Sequence, residues 1–148
     1  MATTDAEPRC IDTNVLVYAN QSGSAYHSEA TALLGQTEAA GAPLWISGQV
    51  LREYLAAVTR PQGSVAALPI SVALERVRFF AQRFWVVEDG SEVRARLLQL
   101  LATYRVGGKQ VHDANIVATM LANGITRLLT FNVADFRRFA GLITFEAP

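Results

Sequence analysis

Residues 110–136, QVHDANIVATMLANGITRLLTFNVADF, decide the fold. From Gln110 to Asn123 apolar residues occupy almost every side of a helical wheel, which predicts a central, buried helix rather than a surface one. Asn123-Gly124 is a good pair for leaving a helix, and Leu128 to Thr130 has the pattern of a short buried strand. Val133 to Phe139 reads as a short helix. A buried helix feeding a buried strand is the unit of a parallel sheet covered on both faces.

The same alternation extends outward. Leu142 to Phe145 reads as a last edge strand. Upstream, Ser91 is placed to cap a helix running to about Tyr104, with Gly107-Gly108 breaking it, and Trp85 to Val87 forms a strand. A helix from Ser71 offers Val72, Val77, Phe80, Ala81 and Phe84 as its core face. Gln49 to Arg60 is an amphipathic helix whose apolar stripe excludes Arg52 and leaves Glu53 at its edge. Leu44 to Ser47 is a strand, and Ser24 to Ala39 a helix closed by Gly41 and Pro43. Arg9 to Asp12 is the first strand, followed by a turn at Thr13-Asn14 and the apolar run Val15 to Ala19. Pro61 to Pro69 is too short for a linker and reads as a loop. The expectation is one α/β domain over 1–148, with a central parallel sheet flanked by helices in three layers.

Composition narrows the classes. A chain of 148 residues, 51% of them hydrophobic, can bury a core without disulfides, and 18% charged residues is low enough to imply surface hidden in a partner. Thirteen basic and thirteen acidic residues cancel, so no bulk positive field announces a nucleic-acid binder, although acids gathered at one site would leave the remaining surface basic. Cys10, the only cysteine, falls in a buried strand and reads as a small core residue. No apolar leader and no run of eighteen apolar residues occurs, so the expectation is a soluble cytoplasmic protein.

In open parallel sheets the functional crevice lies beyond the carboxyl ends of the strands. Asp12 stands at such an end, Asn132 two residues beyond another, and Glu53 on the helix entered from the strand Leu44 to Ser47. Asp113 shares an arc of its helix with Ile116, Val117 and Met120, and a carboxylate on an apolar arc demands a partner. Each residue taken singly has an ordinary structural role: a turn at Asp12, a solvated face at Glu53, a dipole contact at Asp113, an N-cap at Asn132. Asp135, in the first turn of the last helix, either complements the dipole or completes the cluster.

Carboxylates brought together without a cation repel and raise one another's pKa. A cluster of oxygen ligands without cysteine or histidine selects Mg²⁺ or Mn²⁺ over zinc. His112 reads as a helix-start residue and His27 as an exposed one, so neither is taken as a ligand. With such an ion and no covalent nucleophile, the natural reaction is phosphodiester hydrolysis, and no Walker loop supports nucleotide hydrolysis. Arg52, Arg105 and Lys109 flank the acids in sequence and are candidate phosphate contacts.

CIDTNVLVYA (10–19), QVLREYLAAVTRP (49–61), VHDANIVATMLANGITRLLT (111–130) and TFNVADF (130–136), in this order and over nearly the whole chain, resemble the PIN-domain family, specifically the VapC-type toxins of bacterial toxin–antitoxin pairs. The resemblance implies a PIN-like fold with Asp12, Glu53 and Asp113 as metal-binding acids and Thr13 and Thr130 as supporting polar residues. It further implies Mg²⁺- or Mn²⁺-dependent endoribonuclease action on RNA that stops translation, a homodimer, and inhibition by a small cognate antitoxin. Where many members carry a fourth Asp this chain has Asn132, with Asp135 three residues later, so the fourth ligand is open between them. Two other readings compete: a catalytically idle PIN scaffold that binds RNA or protein, and a receiver-like module. The second needs an acidic neighbour near Asp12 and a lysine near Thr130, and the sequence has neither.

Overall fold

The computed structural model describes residues 6–148; the first five positions of the N-terminal segment read above fall outside the described residues. Five strands, β1 (Arg9–Ile11), β2 (Leu44–Ser47), β3 (Trp85–Val87), β4 (Arg127–Leu129) and β5 (Thr144–Glu146), form one sheet in the order β3-β2-β1-β4-β5. Every ladder is parallel, with Cys10 opposite Trp45 on one side and Leu128 on the other. Parallel neighbours need crossovers, and helices supply them: α1 (Thr13–Ala19) and α2 (His27–Ala39), α3 (Gly48–Val58) and α4 (Ile70–Arg83), α5 (Ser91–Tyr104) and α6 (Gln110–Ala122), then α7 (Val133–Phe136) with a 3₁₀ turn (Arg137–Phe139).

Consecutive strand residues face opposite sides of a sheet. Cys10 and Ile11 are both buried, as are Leu128 and Leu129, so the central strands are covered on both faces and the α/β reading holds. Helix α6 is buried at Ala114 and throughout Ile116–Met120, the central helix expected from its apolar wheel. It packs along α5, while α1 packs against α2 and α3.

Several boundaries depart from the sequence reading. Thr13 and Asn14 open helix α1 instead of forming a turn, because Asp12 caps that helix with its carboxylate. Helix α2 starts only at His27, after turns at Ser24 to Tyr26, and His27 is half-buried with Nδ1 bonded to the Tyr18 carbonyl at 3.0 Å rather than simply exposed. Ala81, expected on the core face, is exposed, while Ala73, not expected there, is buried. Ser91 lies inside α5, with Gly90 at the cap. That helix ends at Tyr104 as expected, but it is Arg105 at the C-cap, in a left-handed conformation (φ 50), that breaks it, two residues before the glycine pair expected to do so. Strand β4 begins and ends one residue early, and the last helix tightens into a 3₁₀ turn after Phe136. Strand β5 is displaced to Thr144–Glu146, where it remains a sheet edge.

Because β4 is central, Leu128→Ala should cost about 2–5 kcal/mol in urea unfolding, the usual range for a buried leucine. Leu98→Ala, at a side chain 61% exposed on α5, should stay within about 0.5 kcal/mol. Equal losses at the two positions would contradict the burial described.

Candidate metal centre

Strand β1 has neighbours on both sides, β2 and β4, and the chain leaves these strands toward different connections, so a crevice opens beyond their carboxyl ends. Asp12 is the first residue past β1 and is only 6% exposed. A buried carboxylate survives there because it is well bonded. Its Oδ1 accepts from the Thr13 amide at 2.8 Å, and its Oδ2 accepts from the Thr130 hydroxyl at 2.7 Å and from Asn14 Nδ2 at 3.0 Å. Thr130, the first residue past β4, in turn accepts from the Asn132 amide at 3.0 Å. Asn14 Oδ1 accepts from the Phe131 amide at 3.1 Å, which ties the start of α1 to the end of β4.

Glu53 is held from two sides. Thr13 Oγ1 donates to its Oε2 at 2.6 Å, and Gln49 Nε2 to its Oε1 at 2.8 Å. Thr13 and Thr130 thus each donate to one of the acids, Glu53 and Asp12 respectively. Asp113, half-buried in the first turn of α6, faces the same region, and its electrostatics say so. Burial pushes its carboxyl up to about 6, and the charges of Asp12, Asp135 and Glu53 push the same way against a smaller opposing effect of His112. Asp12 is likewise raised to about 6, by burial and by Glu53, against the hydrogen bonds from Thr130, Thr13 and Asn14. Burial, with Asp12 close by, lifts the Cys10 thiol to about 12, so this cysteine is an inert core residue.

Asp113 therefore feels acids from three other segments, and Asp12 feels Glu53. Among the described residues no three His, Cys, Asp or Glu side chains are drawn together tightly enough to grip one ion. Like charges stand apart in this way, and a divalent cation among them would offset both the repulsion and the burial. The donor set is all oxygen and fits Mg²⁺ or Mn²⁺ rather than zinc.

Asn132 is exposed and takes the expected N-cap position of α7, but its side chain makes no capping hydrogen bond. Asp135, also exposed, is the neighbour whose charge reaches Asp113. Arg52, Arg105 and Lys109 are all exposed and make no ion pair or side-chain hydrogen bond among the described residues; Lys109 immediately precedes α6, four positions before Asp113. Sequence reasoning missed Asn14, Gln49 and Asn115. Their signal was weak: Gln49 and Asn115 are amides inside helical patterns, Asn14 fell in an expected turn, and each has a partner on another segment.

A model of the PIN domain matches residues 9–142. Ribonuclease VapC48 of Mycobacterium tuberculosis is 29% identical over 133 residues, covering 88% of this chain and 91% of that protein. In structure the chain is similar to VapC20 of the same organism, described as a sarcin–ricin loop cleaving toxin, with TM-score 0.69 and 20% identity over 91% of this chain and 96% of that one. It is also similar to a chain of a toxin–antitoxin complex from Klebsiella pneumoniae, with TM-score 0.66 and 24% identity over 92% and 96% of the two chains. At these identities the structural likeness speaks for the fold.

A carboxyl whose pKa is higher folded than unfolded binds its proton more tightly in the native state. Stability from Asp12 and Asp113 is then greatest below 3.8, their ordinary value, and declines as pH rises to about 6. In EDTA the melting temperature should fall across that window, and Asp113→Asn should raise it at pH 7. A variant less stable than the parent in EDTA at pH 7 would contradict this account of Asp113's burial and repulsion.

Proposed function

This chain belongs to the PIN-domain family, and from that premise we propose that it is a Mg²⁺- or Mn²⁺-dependent endoribonuclease, the toxin of a toxin–antitoxin pair. What carries the reading is the Asp113 carboxyl, raised to about 6 by burial and then by the charges of Asp12, Asp135 and Glu53, acids drawn from three other segments. The ribonuclease name of a relative matched over most of both chains supports the same activity.

When bound, a divalent ion activates water and offsets charge developing on the scissile phosphate. The chain's own residues prepare the place. Asp12, Glu53 and Asp113 supply oxygens, and Asp135 is the better candidate than Asn132 for a fourth, since it carries charge that Asp113 feels. The Thr130, Thr13 and Asn14 donors keep Asp12 ionised despite its burial by lowering a pKa that burial raises. Arg52, Arg105 and Lys109, unpaired and exposed, are free to meet RNA phosphates.

We infer a homodimer that also binds a small antitoxin, and exposed apolar side chains support this. Ile70 and Leu74, one turn apart on α4, with Phe79, Trp85 and Leu98, are each 37% exposed or more. They suit burial against a second copy of the chain and a small antitoxin, and the K. pneumoniae complex is a precedent for the second kind of partner. No helix among the described residues is long and apolar enough to cross a membrane.

Purified protein should cleave RNA internally with Mg²⁺ or Mn²⁺, stop in EDTA, and lose at least about 100-fold in rate on Asp12→Asn. Mapping cut ends in total RNA after expression of parent and Asp12→Asn chains identifies the substrate. RNA binding without cleavage at any divalent concentration would replace this reading with the idle scaffold.

A further inference from the structure

Glu53 owes its orientation to a chain of amides. Gln49, one turn before it on α3 and only 5% exposed, donates from Nε2 both to Glu53 Oε1 and to the His112 carbonyl, each at 2.8 Å. Its Oε1 accepts from Asn115 Nδ2 at 2.7 Å. Asn115 Nδ2 donates again, at 3.0 Å, to Oδ2 of Asp89, two residues past β3. The connected path runs from Asp89 through Asn115 and Gln49 to Glu53 and on to Thr13, crossing the β3–α5 loop, α6, α3 and α1.

Two features give this path a purpose beyond satisfying buried groups. Gln49 reaches α6 at two points, the backbone of His112 and the side chain of Asn115, and these lie on either side of Asp113 in sequence. It thereby fixes the helix carrying one acid against the helix carrying another. Both links are neutral amides whose N–H groups point toward the carboxylates at the two ends, so Glu53 is aimed without a cation that would compete with a metal for its charge. Lysine or arginine at either position would neutralise the acid it positions.

Resting on the metal-site reading above, we propose that Gln49 and Asn115 are positioning residues that set the spacing of the Glu53 and Asp113 carboxylates, with Asp89 anchoring the outer end. They touch neither ion nor RNA in this role. Groups that orient metal ligands are worth about 10–100-fold in metal affinity.

The test is Mn²⁺ binding to RNA-free protein, followed by electron paramagnetic resonance of the free ion, with melting curves on the same samples. Asn115→Ala should weaken Mn²⁺ by about 10–100-fold. Asp89→Ala, at an exposed loop position that leaves the core untouched, should weaken it in the same direction by less. Parent-like Mn²⁺ affinity in both variants, with only a lowered melting temperature in Asn115→Ala, would overturn the proposal and leave a structural role. If the parent chain itself binds no Mn²⁺, the metal-site reading fails first, and this one with it.

Discussion

Burial of carboxylates beside one another is the constraint around which this site is built. Asp12, Glu53, Asp113 and Asp135 come from four separate segments, and burial first, with neighbouring acids second, raises Asp12 and Asp113 to about 6. A fold selected for stability alone would scatter or neutralise such charges. Here the chain opposes the repulsion with neutral donors: Thr130 and Asn14 on Asp12, Thr13 and Gln49 on Glu53. The acids stay in place and their charge remains available.

That arrangement depends on the sheet. With β1 central, its last residue is followed at once by Asp12, and the adjacent β4 is followed by Thr130, so two neighbouring strand ends deliver an acid and its donor within hydrogen-bond reach. The buried α6 holds Asp113 over the same crevice, and its interior position explains why the carboxyl there is partly desolvated. Burial, backbone order and electrostatics are one design at this point. Loosening the core would relieve the acids and disperse them.

Much of this was legible in the residues. Strands β2 and β3 fall where alternation and apolar runs place them, and the sheet is parallel because helical patterns separate every pair of strands. Asp12 and Asp113 stand out in sequence because an acid at a strand end, or on an apolar arc, breaks a local rule. Gln49 and Asn115 do not stand out, since an amide within a helix breaks no rule until its distant partner is known. The end of α5 at Tyr104 was legible too, but not the residue that turns the chain there: glycine is the expected left-handed residue, and Arg105 adopts that conformation ahead of Gly107-Gly108. Likewise Asn132 has the type of an N-cap, while the carbonyls and amides around it are satisfied through Thr130 and Asp135.

The central claim is that these acids form one cation site. A crystal grown near pH 7 with Mn²⁺, measured at a wavelength where manganese scatters anomalously, tests it directly. A single strong anomalous peak bounded by oxygens of Asp12, Glu53 and Asp113 is the predicted result. Manganese bound elsewhere on the molecule, with those three side chains ordered and unligated, would contradict it.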